Sequence, residues 1–374
     1  MARSLLLALA LLLPGCAEQG AVSPDIVLIV IDALRADSLP LYGAPRENAP
    51  HLADLAQGGV VFERVVAPSS WTKTSMASLL TGTNPSRHGV RGIEHALPGE
   101  LPTLARMLHD AGYRTLGVQT NPWLHSRFGF DEGFDRYDLV RFGTAEEVND
   151  LALTLLAEAG RERPVFLYLH YMGVHAPYRP GLRWFHEPAL EVPGRGPVAD
   201  EELENLYRRQ DLRGLELDRR VRALCEAELR QLDDALGHLF EALRERWLLE
   251  HAVLVVASDH GEAFGERGQV THGRTFYPEV YAVPLLVRAA GRVPAGARIA
   301  AQVRSIDVVP TILALVELPR PPSVEGEAAV AAPSSSTTCA PIQVRCPTWD
   351  PTPQKRRVSR GSSTSARQLP CPSG

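Results

Sequence analysis

Two short apolar runs punctuate the chain: Ile26-Val27-Leu28-Ile29-Val30-Ile31 and Ala252-Val253-Leu254-Val255-Val256-Ala257. Both are too brief for core helices and rich in β-branched residues, the pattern of central strands buried on both faces of a parallel sheet. Val165-Phe166-Leu167-Tyr168-Leu169 and Val283-Pro284-Leu285-Leu286-Val287 read the same way, with weaker strands at Val60-Val61-Phe62 and Thr115-Leu116-Gly117-Val118. Between them the spacing predicts helices over 49–58, 75–80, 101–110 and 307–315, with Gly58, Gly82 and Gly112 as stops. From about 201 to 247, leucines recur at helical spacing (Leu224, Leu229, Leu232, Leu236, Leu239, Leu243) amid dense charge, an amphipathic helix laid over the sheet. Strands alternating with helices predict an α/β fold with a mostly parallel central sheet and helices on both faces.

The pattern holds over 24–327 and breaks at both ends. Arg3, the apolar Leu5 to Leu13 and the box Leu13-Pro14-Gly15-Cys16 form an export signal of the bacterial lipoprotein type, with a plain secretory signal as the alternative. On that reading residues 1–16 are processing sequence, Cys16 is the lipidated residue and 17–23 is a tether. The expectation is a protein exported to the bacterial cell envelope and held to a membrane by its lipid. Residues 328–374 carry Ser334-Ser335-Ser336-Thr337-Thr338, scattered prolines and Lys355-Arg356-Arg357 without apolar periodicity, and are expected to be a disordered tail. A basic tail that contacts anionic lipid or wall polymer, or a shifted reading frame, are the alternatives.

With 374 residues, 45% of them hydrophobic, the chain can bury a sizeable core. A net charge of −5 gives no basic footprint for nucleic acid, so an anionic substrate would have to be attracted locally. Cys225, Cys339, Cys346 and Cys371 lack zinc-ligand spacing and form no evident disulfide framework; Cys225 reads as a small buried hydrophobe in a helix.

The first run ends in Asp32 and the second, after Ser258, in Asp259-His260. Ligands of open α/β sheets bind beyond the carboxyl ends of the strands, so two distant segments can bring two carboxylates and an imidazole to one crevice. That is most of a metal site. Residues 69–82 place several hydroxyls before a short helix, with Thr72 just ahead of its first turn, where free N–H groups favour an anion. A threonine hydroxyl needs a metal or a base to become a nucleophile. The bland counterparts are a helix cap for Thr72 or Thr74, a loop cap for Asp32 and a surface turn for Asp259-His260.

Taken in order, Asp32-Ala33-Leu34-Arg35-Ala36-Asp37, Trp71-Thr72 through Thr81-Gly82, Pro85-Ser86-Arg87-His88-Gly89, His175-Ala176-Pro177-Tyr178, Ser258-Asp259-His260-Gly261-Glu262, Thr271-His272-Gly273 and Asp307-Val308-Val309-Pro310-Thr311 resemble the sulfatase family of the alkaline phosphatase superfamily, over roughly residues 24 to 326. The resemblance implies that fold and hydrolysis of a small-molecule, glycan or lipid ester. It also implies a divalent metal held by Asp32, Asp259 and His260 with residue 72 completing the shell, and His175 and His272 near the substrate's charged oxygens. Asn121, in Asn121-Pro122-Trp123-Leu124, falls on a family loop leading to the site and either touches substrate or serves the turn. Arg35 and Asp37 either orient Asp32 or form a surface ion pair.

Three departures change the expected chemistry. The family places at 72 a cysteine or serine that is oxidised to formylglycine; this chain has Thr72-Lys73-Thr74-Ser75-Met76, so no formylglycine is expected. Lys73 is a candidate for the motif's missing positive charge and for substrate binding. Threonine nucleophiles belong to phosphodiesterases and phosphoethanolamine transferases of the same superfamily, so Thr72 tilts the chemistry toward phosphoryl transfer. The family's paired Asp-Asp is Asp32-Ala33, which weakens the case for the family's Ca²⁺ and makes room for Zn²⁺ or Mn²⁺ beside His260. Gly173-Val174-His175 replaces Asp-Pro-His, which favours one metal over two. The expectation is a metal-dependent hydrolase of a sulfate or phosphate ester acting through Thr72. The alternatives are a phosphodiesterase or phosphoethanolamine-type transferase, and a catalytically degenerate binding lipoprotein.

Overall fold

The computed structural model describes residues 23–44, 48–185, 215–246 and 248–330. The expected signal with Cys16, the tether before Ser23 and the chain after 330 lie outside the described residues. In chain order the main elements are β1 (Ile26–Ile31), α1 (Pro50–Gln57), β2 (Val60–Val66), α2 (Thr72–Thr81), α3 (Leu104–Asp110), β3 (Arg114–Gln119) and β4 (Arg136–Leu139). There follow α4 (Ala145–Glu158), β5 (Val165–Tyr171), α5 (Leu215–Glu245), β6 (Val253–Ser258), a hairpin of β7 (Ala263–Phe264) and β8 (Val270–Thr271), β9 (Leu285–Arg288), β10 (Ala297–Arg304) and α6 (Val308–Leu315).

An eight-stranded sheet has the order β10-β2-β9-β6-β1-β5-β3-β4. Its pairings are parallel except those of β9, which runs against both β2 and β6. The apolar runs behave as predicted: every residue of β1, β5 and β6 is buried. On one face α5 packs Leu224, Leu229, Leu232, Leu236, Leu239 and Leu243 against β1, β5 and β6. On the other, α2, α3 and α6 cover Leu28, Val30, Tyr168 and Val255.

Several boundaries differ from the sequence expectation. The helix placed at 75–80 begins at Thr72, and the one placed from 101 begins at Leu104 because Thr103 caps it, accepting from the Arg106 N–H. β4, α4 and β10 had no counterpart in the apolar pattern. The ordered fold also runs past 327: Val330 is buried in the second core and the Ala329 N–H donates to Thr311 Oγ1 at 2.9 Å, so the first residues assigned to the tail are packed. Cys225 is buried in α5, as expected, and is unbridged among the described residues.

Candidate metal centre

β1 and β6 are in register, Ile31 opposite Ser258, so Asp32 and Asp259 leave the sheet side by side. The two ends are tied together. The Ala33 and His260 N–H groups both donate to Asp259 Oδ1, at 3.1 and 2.9 Å, and the Ser258 hydroxyl accepts from the Leu34 N–H at 3.1 Å while donating to the His260 carbonyl at 2.7 Å. Ala33 takes a φ of 59°, a left-handed turn that sends the chain away immediately after Asp32. Asp32, Asp259 and His260 are fully buried, and one ligand atom from each lies within 4.8 Å of the others.

The oxygens of Asp32 face different partners. Oδ2 accepts from Asn121 Nδ2 at 2.8 Å and lies 3.6 Å from His170 Nε2. Oδ1 lies 3.6 Å from His260 Nε2 and 3.4 Å from the Thr72 hydroxyl. His260 Nδ1 donates to the Gly261 carbonyl at 2.9 Å, which turns the Nε2 lone pair toward the cluster, 3.4 Å from Asp259 Oδ2. This is the arrangement that orients metal-binding histidines.

The electrostatics describe a site built around a positive charge. Burial pushes the Asp32 carboxyl up, but His175, His170, His260 and the Asn121 hydrogen bond outweigh it and hold it down at about 2. Asp259 is pushed well up, by burial and by the Asp32 charge beside it. Burial and the neighbouring His272 hold His260 down at about 3, so its ring is neutral and available as a donor. Asp259 Oδ2 and His170 Nε2 are buried without hydrogen-bond partners among the described residues. Two carboxylates, one of them with an unpaired oxygen, and a neutral imidazole fit a divalent cation.

Thr72 completes the group. Trp71 occupies the cap position of α2 without a side-chain bond, and Thr72 is the first helical residue, so the helix-cap reading of Thr72 does not hold. Its buried hydroxyl lies 3.1 Å from His260 Nε2. Ser75, one turn on, donates to the Asp259 carbonyl and docks the helix on β6. Lys73 departs from expectation. One residue further round the helix, it points elsewhere: Nζ donates to the Ile93 carbonyl and lies 3.1 Å above the Phe128 ring, fully buried, with burial holding its pKa down at about 8. It contributes no wall to the cleft described next.

A cleft of about 450 Å³ opens onto the cluster, with Thr72, Asn121, His175 and His272 among its walls and the exposed Arg127 and Arg141 at its mouth. Asn121 serves the turn, one of its two predicted roles, and its amide nitrogen is engaged by Asp32. Its Oδ1 accepts from the Trp123 N–H at 3.0 Å, fixing the turn, while its Nδ2 holds Asp32. The His272 ring centre is 4.4 Å from that of His260 and 4.9 Å from that of His175. His272 Nδ1 lies 3.2 and 3.3 Å from the two oxygens of buried Glu262, which also accepts from Tyr178 Oη at 3.4 Å. Burial opposes a charge on His272, but Glu262, with Asp32 and Asp259, prevails and lifts its pKa to about 9. Arg35 is buried rather than at the surface. It grips Asp37 at 2.8 and 2.7 Å and reaches the Glu262 carbonyl at 2.9 Å and Glu266 at 2.7 Å, anchoring the loop that carries Glu262.

Sequence reasoning brought Asp32, Thr72, Asn121, His175, Asp259, His260 and His272 to one place. It missed His170, Glu262 and the two arginines. Glu262 had a signal in its spacing two residues after His260; His170, inside an apolar strand, had none.

Comparison with known proteins agrees with this geometry. The family model described as Sulfatase matches residues 24–318. N-acetylglucosamine-6-O-sulfatase of Bacteroides thetaiotaomicron is 23% identical, the match covering 86% of this chain and 74% of that protein. Arylsulfatase A of Homo sapiens is 28% identical over 85% of this chain and 68% of its own. Among solved structures, the phosphonate monoester hydrolase from Silicibacter pomeroyi shares the fold with a TM-score of 0.67 at 24% identity, covering 82% of this chain and 75% of that one. With the strand-end carboxylates, the helix-borne residue 72 and the histidine pair in their places, the chain belongs to the sulfatase family.

Proposed function

We propose that the protein is a divalent-cation-dependent hydrolase of sulfate or phosphate esters with Thr72 as its nucleophile. The observation that carries this reading is the position of the Thr72 hydroxyl, 3.1 Å from His260 Nε2 and 3.4 Å from Asp32 Oδ1 at the floor of the cleft. Asp32, Asp259 and His260 would hold the cation, which when bound lowers the pKa of a nearby hydroxyl and neutralises ester oxygens. Thr72, its hydroxyl proton passed to solvent, attacks sulfur or phosphorus in line and forms a covalent threonine ester as the bond to the alcohol oxygen breaks. His272, kept protonated by Glu262, gives that oxygen a proton, with His175 across the cleft beside it. Arg127 and Arg141 draw the anion to the mouth. Water then cleaves the threonine ester and His272 recovers its proton.

Thr72 itself favours a second reading, a phosphodiesterase or phosphoethanolamine-type transferase. Threonine cannot form the aldehyde hydrate through which formylglycine expels sulfate, whereas a phosphothreonine is open to attack at phosphorus. We assign the protein to the cell envelope, anchored through Cys16, on the strength of its leader. Turnover of 4-nitrophenyl sulfate, 4-nitrophenyl phosphate and bis(4-nitrophenyl) phosphate by the wild type and Thr72→Ala, with metal content measured, tests the mechanism. The substitution is expected to lower turnover at least about a thousandfold at unchanged metal content. Acid-quenched wild type should carry one sulfuryl or phosphoryl group on the Thr72 peptide. Full turnover by Thr72→Ala would overturn the nucleophile, and a bound cation without turnover of any ester would favour the binding lipoprotein.

A further inference from the structure

Beside the cleft over the metal centre lies a second cavity of about 530 Å³, and the two share Phe142, Met172 and His175. Phe142 is 63% exposed, among the most exposed large hydrophobic side chains described. It also has a φ of 53°, a left-handed conformation that bulky residues avoid. The turn holding it there is firmly built. The Phe142 N–H donates to the Thr120 carbonyl at 3.0 Å and the Gly143 N–H to the Val140 carbonyl at 2.9 Å. A Cβ on Gly143 would lie 2.3 Å from Val140 Cγ1, and Thr144 then starts α4 with a reciprocal cap to Glu147. Among the described residues the ring joins neither hydrophobic core, so packing there does not repay the strained backbone. Strain maintained at a cavity wall points to function.

We infer that Phe142 is a stacking platform for a ring in the alcohol half of the ester, and that the second cavity receives that half; the inference rests on the ester-hydrolase reading above. The leaving oxygen would lie near His175, where the cavities meet. Beyond it Met172, Pro177 and Leu232 offer apolar surface and Glu228 and Gln231 polar edges, a mixed lining suited to a ring bearing polar groups. Arg141, its guanidinium 5.3 Å from the Phe142 ring centre, keeps a charge beside the platform. The specificity that follows is for ring-bearing esters over small alkyl ones.

Phenylphosphonate and methylphosphonate, whose C–P bonds resist displacement, separate ring recognition from catalysis. Calorimetric binding to cation-loaded full-length protein should favour the phenyl compound about tenfold in the wild type and in Phe142→Tyr. The preference should shrink to about twofold or less in Phe142→Gly and Phe142→Leu. Because glycine accepts the left-handed φ, Phe142→Gly should also hold or raise the melting temperature. An unchanged preference in Phe142→Gly, a fall in melting temperature together with both affinities, or a wild type that binds neither phosphonate overturns the platform. A wild type that shows the preference yet hydrolyses no ester would leave the platform standing and remove the hydrolase reading.

Discussion

Asp32 illustrates how one carboxylate is divided between two tasks. Asn121 and His170 face Oδ2, leaving Oδ1 for Thr72, His260 and a cation. Partners of this kind set metal affinity through ligand orientation. Asn121→Ala should therefore lower Zn²⁺ or Mn²⁺ affinity by roughly ten- to a hundredfold in a calorimetric titration; unchanged affinity would show that the strand ends alone fix Asp32. At this scale the sequence was most informative where residue type and place coincide, as for acids that terminate apolar strands. Lys73 was misplaced for a geometric reason: neighbours on a helix differ by about 100° in direction, so adjacency to Thr72 carried its charge to the Phe128 side. His170 was illegible because its role comes from a neighbouring strand.

Between β6 and the β7–β8 hairpin, a short turn decides where three side chains meet. Gly261 separates His260 from Glu262, and its carbonyl accepts from His260 Nδ1. A Cβ there would lie 2.2 Å from the Glu279 carbonyl oxygen, with Arg35 Cγ at 3.3 Å. Gly261→Ala must displace that turn, so urea unfolding should show a loss of about 1–3 kcal/mol, and the cation titration should weaken with it. Unaltered affinity would mean that the turn moves without taking His260 along. The missed elements share a cause. β4 and β10 lie at the sheet edges with half-exposed faces, so neither shows the continuous apolar run of a central strand. α4 did announce itself, through Thr144 and Glu147 at capping-box spacing.

At the scale of the whole molecule, one contribution to acid sensitivity comes from a buried histidine away from the cation cluster. His88 Nδ1 accepts from the Val90 N–H at 3.0 Å, so Nε2 carries the proton and donates to Ser78 Oγ at 2.9 Å, locking α2 to the segment after it. Burial, helped by Arg91 and opposed by Glu325, lowers its pKa from 6.5 to about 4. A depressed folded-state value means the stabilisation is present above pH 6.5 and is lost as pH falls through about 4. Relative to His88→Gln, the wild type should lose about 1–3 kcal/mol of unfolding free energy between pH 6.5 and 4 in paired denaturant titrations; parallel curves would refute this. The α/β class was readable because central strands are apolar throughout, whereas the reversed direction of β9 had no signature in its residues.

The placement of β1 has a consequence for the making of the chain. Its two hydrogen-bonded neighbours are β5, complete by Tyr171, and β6, complete only at Ser258. A nascent or truncated chain that stops short of Ser258 presents β1 as an open, wholly apolar edge, the kind that invites pairing with other chains. The segment that seals this edge is followed at once by Asp259 and His260. Cation uptake and the covering of β1 are thus finished by the same stretch of polypeptide, and a bound cation reports a chain made at least as far as His260.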